Sequence, residues 1–168
     1  MAESPVFVLD ADVFIEAAKR YYAFDIVPLF WDTLVDLAEA GRVRSIDRVK
    51  DQLDKGNDGL KEWADGQYES FFEPTADPQV LHVYSKIMNW AQKQGQFSDA
   101  AKAELANEGN ADPWLVACSA TRGCVLVTEE KLNTTIKRKI PIPNICTAFG
   151  VSYTDTFGML RQLGVKFR

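Results

Sequence analysis

Short strand-like segments alternate with helix-like segments along the whole chain, and this alternation constrains the fold more than any other feature. The predicted strands cover residues 5–9, 43–46, 71–72, 124–127 and 143–146. Short apolar segments of this kind are typical of strands that are buried on both faces of a sheet. Strands separated by helices favour parallel pairing, with helices on both sides. The sequence therefore predicts an α/β fold, a three-layer α/β/α sandwich around a central, mostly parallel sheet.

Capping residues and apolar spacing place the helices between these strands. Asp25 is predicted to cap one helix, and Asp77 and Asp112 each precede a proline at a helix start. Residues 55–59 are predicted to form a turn, and residues 154–163 the terminal helix. The helix after Asp77 is expected to bury one apolar face, formed by Leu81, Tyr84, Ile87, Met88 and Ala91.

The composition predicts one globular domain that spans residues 1–168. Hydrophobic residues make up 46% of the chain and charged residues 26%, an ordinary balance for a folded protein. No segment approaches the roughly 20 apolar residues that span a bilayer, and the N-terminus lacks the basic start of a signal peptide. Cys118, Cys124 and Cys146 have no metal-type spacing and are interpreted as free thiols. These features predict a cytoplasmic protein without membrane contact.

Net charge and histidine content exclude several classes of function. The formal net charge is −5, which argues against broad binding of nucleic acid through a basic face. An acidic pocket for divalent cations is compatible with this charge. His82 is the only histidine, and its position in a helical segment indicates a surface or packing role. A single histidine excludes a two-histidine ribonuclease and a histidine-rich zinc site, so any chemistry must use carboxylates, hydroxyls or a thiol.

Acidic residues follow two of the predicted strands and begin one of the helices. They are Asp10 and Asp12 after the first strand, Glu129 and Glu130 after the fourth, and Asp112 at the helix start. Ligand sites of parallel sheets lie beyond the carboxyl ends of the strands, so these acids are expected to share a pocket. A divalent cation such as Mg²⁺ or Mn²⁺ would relieve their repulsion and support phosphodiester hydrolysis. Helix capping is the structural alternative for Asp12 and Asp112.

The same motifs resemble those of PIN-domain ribonucleases. Residues 9–15, Leu-Asp-Ala-Asp-Val-Phe-Ile, resemble the opening motif of that family. Residues 111–117 resemble its later acidic helix start, and residues 127–130 resemble its Thr-x-acid segment. Residues 19–31 and 140–146 resemble one uncharacterised PIN-like bacterial family. The resemblance spans nearly the whole chain and keeps the order of the motifs.

The resemblance implies a compact PIN-like fold and an endoribonuclease that hydrolyses RNA phosphodiester bonds with Mg²⁺ or Mn²⁺. Many such proteins are the toxin component of a type II toxin–antitoxin pair and form homodimers. A separate antitoxin chain and a second copy of this chain are therefore the protein partners that it implies. By position, Asp10, Asp112 and Glu130 match the catalytic, metal-binding acids of the family. Asp12 falls where the family often has a small polar residue that supports the site.

One position departs from the family pattern. PIN domains usually carry an acid on the helix after the second strand, where this chain has Gln52. The amide oxygen of Gln52 can coordinate a cation but brings no charge. The neighbouring Asp51 projects about 100° away around the helix, so it does not occupy the same direction as Gln52. Asp12 could supply the missing charge instead. The candidate residues for RNA contact are the basic residues Lys19, Arg20, Lys137, Arg138 and Lys139.

Two other functions are compatible with the sequence. Asp10-x-Asp12 after an apolar strand also resembles the nucleophile and acid pair of haloacid-dehalogenase-type phosphatases, although Phe14 stands where that family has Thr or Val. Gln52 motivates the second alternative, a PIN-fold interaction protein with weakened catalysis. Cleavage of a small phosphomonoester would favour the phosphatase, and failure to bind Mn²⁺ would favour the interaction protein.

Overall fold

The computed structural model describes residues 4–56 and 59–167, which form five strands and nine α-helices. The strands are β1 (Phe7–Leu9), β2 (Val43–Ile46), β3 (Phe72–Glu73), β4 (Val125–Val127) and β5 (Tyr153–Thr154). The helices are α1 (Ala11–Glu16), α2 (Pro28–Glu39), α3 (Asp47–Asp54), α4 (Gly59–Trp63), α5 (Pro78–Gln92), α6 (Asp99–Leu105), α7 (Asp112–Arg122), α8 (Ile142–Phe149) and α9 (Thr156–Gln162). The π-helical turns Ala17–Tyr21 and Ala64–Tyr68 extend α1 and α4. Residues 57 and 58 of the predicted turn lie outside the described residues.

The strands of the described chain form one parallel sheet in the order β3-β2-β1-β4-β5. In the centre, Phe7 of β1 pairs with Val43 on one side and with Val125 on the other. The chain builds outward from β1 to β3 in one direction and to β5 in the other. Right-handed crossovers therefore place α1 to α4 on one face and α5 to α8 on the opposite face. This arrangement confirms the predicted α/β/α fold with its parallel sheet.

Both faces of the sheet are covered by apolar side chains. On one face the fully buried ring of Phe14 contacts the rings of Trp63, Tyr68 and Phe72, with centroid distances of 5.5 to 6.1 Å. On the other face α7 is buried from Pro113 to Ser119 and packs against α5 and α8. Within the described part of the chain, every helix is too short or too polar to span a bilayer. The two layers enclose β1 and β4 and fix the positions of their carboxyl ends.

The predicted strand at residues 143–146 is wrong, because this segment lies in α8. The large apolar residues that α8 buries follow a helical period: Ile142, Ile145 and Cys146. Pro143 stands in the first turn of the helix, where proline is well tolerated. A short apolar run cannot by itself distinguish a buried strand from a buried helix. The last strand is instead β5, so the terminal helix begins two residues later than the predicted residue 154.

Two further local predictions are wrong. Asp25 does not cap α2, which begins at Pro28. Proline has the backbone conformation of a first helical residue and disfavours a helical conformation of the residue before it. Leu81 is not on the buried face of α5, because 47% of its surface is exposed whereas Val80 and Ile87 are fully buried. Adjacent residues on a helix point about 100° apart, and Leu81 therefore points away from the buried side chain of Val80.

Ile87 and Leu81 form a matched pair for testing the orientation of α5. Ile87→Ala is expected to lower the free energy of unfolding by about 2–5 kcal/mol, because it opens a cavity in the core. Leu81→Ala is expected to change it by less than about 0.5 kcal/mol, because the side chain is half exposed. Urea unfolding followed by tryptophan fluorescence measures both values. Equal losses in the two variants would contradict this orientation of the helix.

Candidate metal centre

The carboxyl ends of β1 and β4 lie side by side at the point where the strand order changes direction. Asp10 follows β1, and its backbone N–H donates to the carbonyl oxygen of Val127 at 2.9 Å. Thr128 follows β4 and is buried. Its hydroxyl donates to Oδ2 of Asp10 at 3.0 Å and accepts from the backbone N–H of Glu130 at 3.1 Å. Thr128 therefore fixes the carboxylate of Asp10 relative to the backbone that carries Glu130.

Three carboxylates meet at this crevice. Asp10, Asp12 and Glu130 each place one oxygen within 4.8 Å of the other two. Asp10 is only 3% exposed, and the other two are half-buried. Oxygens bound to opposite sides of one Mg²⁺ lie about 4.2 Å apart, so small side-chain adjustments bring all three within reach of one ion. An all-carboxylate set of this size fits a small divalent cation that prefers oxygen ligands.

Asp112 is the first residue of α7 and lines the same cleft. Its carboxylate lies outside the group of three, so the structure groups Asp10 and Glu130 with Asp12. Neither Asp12 nor Asp112 is the N-cap residue of its helix. Instead, the side-chain oxygen of Asn110 accepts from the backbone N–H of Asp112 at 2.9 Å. Helix capping therefore does not account for either acid.

Burial and the charges of neighbouring acids raise the pKa values of Asp10 and Asp112. Burial is the largest cause for Asp10, whose pKa lies well above its ordinary value. The charges of Asp112, Asp12 and Glu130 raise that pKa further, and the hydrogen bond from Thr128 lowers it. Burial, followed by the charge of Glu130, raises the pKa of Asp112 to about 7. Without a cation, part of the cluster therefore holds protons at neutral pH, and a bound cation would favour the ionised forms.

The acids open into a cleft with a volume of about 890 Å³. Gln52, at the position where PIN domains usually carry an acid, lines this cleft. Asp51 is exposed and does not line it. The structure therefore places the neutral amide of Gln52, and not the neighbouring carboxylate of Asp51, in the cleft that contains the acids.

Two of the five basic residues considered for RNA contact lie at the cleft. Arg138 and Lys139 line it, and Nζ of Lys139 lies 3.1 Å from Oε1 of Glu130. The other three are exposed and do not line the cleft: Lys19, Arg20 and Lys137. Arg138 and Lys139 therefore lie at the acidic cleft, whereas the other three basic residues lie on the outer surface.

Glu104 of α6 is a cleft residue that the sequence interpretation missed. It lines the cleft, and its charge contributes to the raised pKa of Asp112. It is an exposed acid on a polar helix, and no motif distinguishes it from its neighbours in the sequence. Glu129 has a different role, because its carboxylate accepts from the backbone N–H and the hydroxyl of Thr156 at the start of α9.

The cysteines provide no nucleophile for this site. Burial raises the pKa of the Cys118 thiol and of the Cys146 thiol to about 12. Burial also raises the pKa of Cys124, and none of the three lines the cleft. Thiols with such pKa values stay protonated at neutral pH. The chemistry available at the cleft is therefore that of its carboxylates.

The chain belongs to the family described as "Domain of unknown function (DUF4411)", whose model matches residues 7–167. None of the curated proteins matches its sequence. Its fold is similar to that of a chain in the crystal structure of VapBC2 from Rickettsia felis bound to a DNA fragment from the promoter. That match has a TM-score of 0.53 and 10% identity, and covers 89% of this chain and 98% of the other.

A second solved structure has the same likeness. FitAcB from Neisseria gonorrhoeae matches with a TM-score of 0.52 and 15% identity, covering 88% of this chain and 96% of that chain. At these identities the likeness shows the fold alone. Together with the strand order, it confirms the predicted PIN-like α/β architecture.

Asp112→Asn is expected to stabilise the protein in EDTA at high pH. The pKa of Asp112 is raised from 3.8 to about 7 in the folded state, so the folded protein binds this proton more tightly than the unfolded chain. The stability that comes from protonated Asp112 is therefore complete below about pH 4 and is lost as the pH rises through about 7. The variant should exceed the wild type by on the order of 1–3 kcal/mol at about pH 8 and differ little at about pH 4.

Urea unfolding across this pH range measures the difference, and the exposed Asp51→Asn variant is the matched control. A difference between Asp112→Asn and wild type that did not vary with pH would contradict the assigned environment of Asp112.

Proposed function

We propose that this protein is a metal-dependent endoribonuclease that hydrolyses RNA phosphodiester bonds with Mg²⁺ or Mn²⁺. The observation that carries the proposal is the convergence of carboxylate oxygens of Asp10, Asp12 and Glu130 within 4.8 Å of one another. They lie at the carboxyl ends of parallel strands, where ligand sites of such sheets are found. The PIN-like fold and the ordered PIN motifs of the sequence support the same reaction.

The acids have separate roles in this proposal. Asp10, Asp12 and Glu130 would hold the cation, and Thr128 would keep Asp10 aligned through its hydrogen bond. The bound cation would neutralise charge on the phosphate and promote ionisation of a water. Asp112 lines the same cleft and is proposed as a further ligand beside them. Its carboxylate is also placed to take up a proton from the attacking water.

Basic side chains at the rim of the cleft are proposed to bind the RNA backbone. Arg138 and Lys139 line the cleft and are placed to contact phosphates next to the scissile bond. The exposed residues Lys19, Arg20 and Lys137 would contact RNA farther from the metal centre. RNA contact by a few basic side chains agrees with the net charge of −5, which does not favour general binding of nucleic acid.

The finer proposal is that the chain is a single PIN-like domain that acts in the cytoplasm as the toxin component of a type II toxin–antitoxin pair. The resemblance to PIN-domain toxins and the similarity in fold to chains of VapBC2 and FitAcB support it. A separate antitoxin would then cover the cleft or insert a basic residue among its acids. Homodimer formation belongs to the same proposal.

Gln52 favours one alternative, a PIN-fold interaction protein with a weakened site. Its amide lines the cleft where other PIN domains have a carboxylate. Glu104 argues for the nuclease, because it brings another carboxylate to the same cleft. Titration with Mn²⁺ separates the two functions, since a decayed site would not bind the ion.

Cleavage of RNA by the purified protein is expected to require Mn²⁺ and to stop in EDTA. Asp10→Asn and Asp112→Asn are each expected to lower the cleavage rate by about 100-fold or more, because each removes a carboxylate from the reacting site. Asp51→Asn is the matched control and should retain activity, since Asp51 is exposed outside the cleft. Gel analysis of a labelled RNA measures the rates.

The contradicting outcomes are distinct. Equal cleavage by wild type and both site variants would indicate a contaminating nuclease. Metal-dependent hydrolysis of p-nitrophenyl phosphate would favour the haloacid-dehalogenase-type phosphatase instead.

A further inference from the structure

The acidic cleft contains a cation of its own. Nζ of Lys139 lies 3.1 Å from Oε1 of Glu130. The same oxygen accepts from the backbone N–H of Ile142 at 3.3 Å. The side chain of Glu130 is 14% exposed, whereas that of Lys139 is 48% exposed. The lysine therefore reaches from the rim of the cleft to a sheltered carboxylate, and that carboxylate belongs to the group of three acids.

The loop between β4 and α8 holds Lys139 in this position. The side-chain oxygen of Asn133 accepts from two backbone N–H groups that follow it in the loop, each at 3.0 Å. Asn144 of α8 donates to the carbonyl oxygen of Asn133 at 2.8 Å and accepts from its N–H at 3.1 Å. Nearer to Lys139, the backbone N–H of Ser98 donates to the carbonyl oxygen of Lys137 at 2.8 Å. The lysine of the ion pair therefore belongs to a loop that is hydrogen-bonded to α8 and to Ser98.

We infer that Lys139 is an internal counter-ion that binds Glu130 in the absence of a divalent cation and competes with that cation for the carboxylate. The inference rests on the proposed function, because it takes Glu130 as a metal ligand. Oε1 of Glu130 already accepts two donors, and an ammonium beside a divalent cation is repelled by it. A divalent cation bound to the Glu130 carboxylate would therefore weaken its ion pair with Lys139. The ion pair in turn raises the cation concentration at which the centre fills.

Arg138 provides a matched control for this competition. It carries the same charge and lines the same cleft. Within residues 4–56 and 59–167 it forms no ion pair, in contrast to Lys139. Removing either side chain makes the cleft more negative, but only removal of Lys139 frees a metal-site carboxylate. Comparison of the two variants therefore separates competition for Glu130 from a general effect of charge.

The test is calorimetric titration of the full chain with Mn²⁺ at neutral pH. Lys139→Met is expected to bind Mn²⁺ about three- to fivefold more tightly than wild type, as expected for loss of a partly sheltered ion pair. Arg138→Met should change the affinity by less than about 1.5-fold. Lys139→Arg, which keeps the charge and the pair, should stay close to wild type. Lys139→Gln replaces Lys139→Met if the methionine variant does not fold.

Each other outcome has a defined meaning. Unchanged or weaker Mn²⁺ binding by Lys139→Met would overturn the inference while leaving the nuclease proposal intact. An equal gain in affinity for Arg138→Met would overturn it as well, because the effect would then be one of charge alone. Failure of the wild-type protein to bind Mn²⁺ would overturn the proposed function together with this inference.

Discussion

Repulsion among carboxylates at the ends of β1 and β4 is the constraint on which the rest of this structure depends. The parallel sheet brings oxygens of Asp10, Asp12 and Glu130 within 4.8 Å of one another. Such crowding is tolerated only through protonation, hydrogen bonding or a nearby cation. In this protein the hydroxyl of Thr128 donates a hydrogen bond to Asp10, and the ammonium of Lys139 forms an ion pair with Glu130. A divalent cation bound to the three carboxylates would reduce the same repulsion.

The scaffold around this edge fixes the backbone that carries the acids and so limits how far they can separate to relieve the repulsion. β1 is paired on both sides, and buried helices and aromatic rings cover both faces of the sheet. Backbone hydrogen bonds fix the residues directly after the two strands. Protein cores of this kind are close-packed and transmit strain instead of yielding. The electrostatic cost is therefore retained in the fold, and a bound cation would relieve it.

The sequence was sufficient to predict the parallel sheet and the edge at which the acids meet. That prediction depended on the alternation of strands and helices and on acids directly after strands, both of which are local patterns. The prediction of a strand at residues 143–146 was wrong because an apolar run of this length fits a buried helix as well as a buried strand. The true last strand, β5, has only two residues and leaves little pattern in the sequence. Glu104 and the pairing of Lys139 with Glu130 depend on how α6 and the β4–α8 loop fold back over the cleft. Sequence spacing does not determine these long-range contacts.

Asp12, and not Asp112, is grouped with Asp10 and Glu130 at the candidate metal centre. Anomalous diffraction from crystals soaked in Mn²⁺ tests it directly. A peak is expected within coordination distance, about 2.1 Å, of carboxylate oxygens of Asp10, Asp12 and Glu130. No peak at saturating Mn²⁺, or a peak that these three residues do not contact, would show that they do not form a metal site.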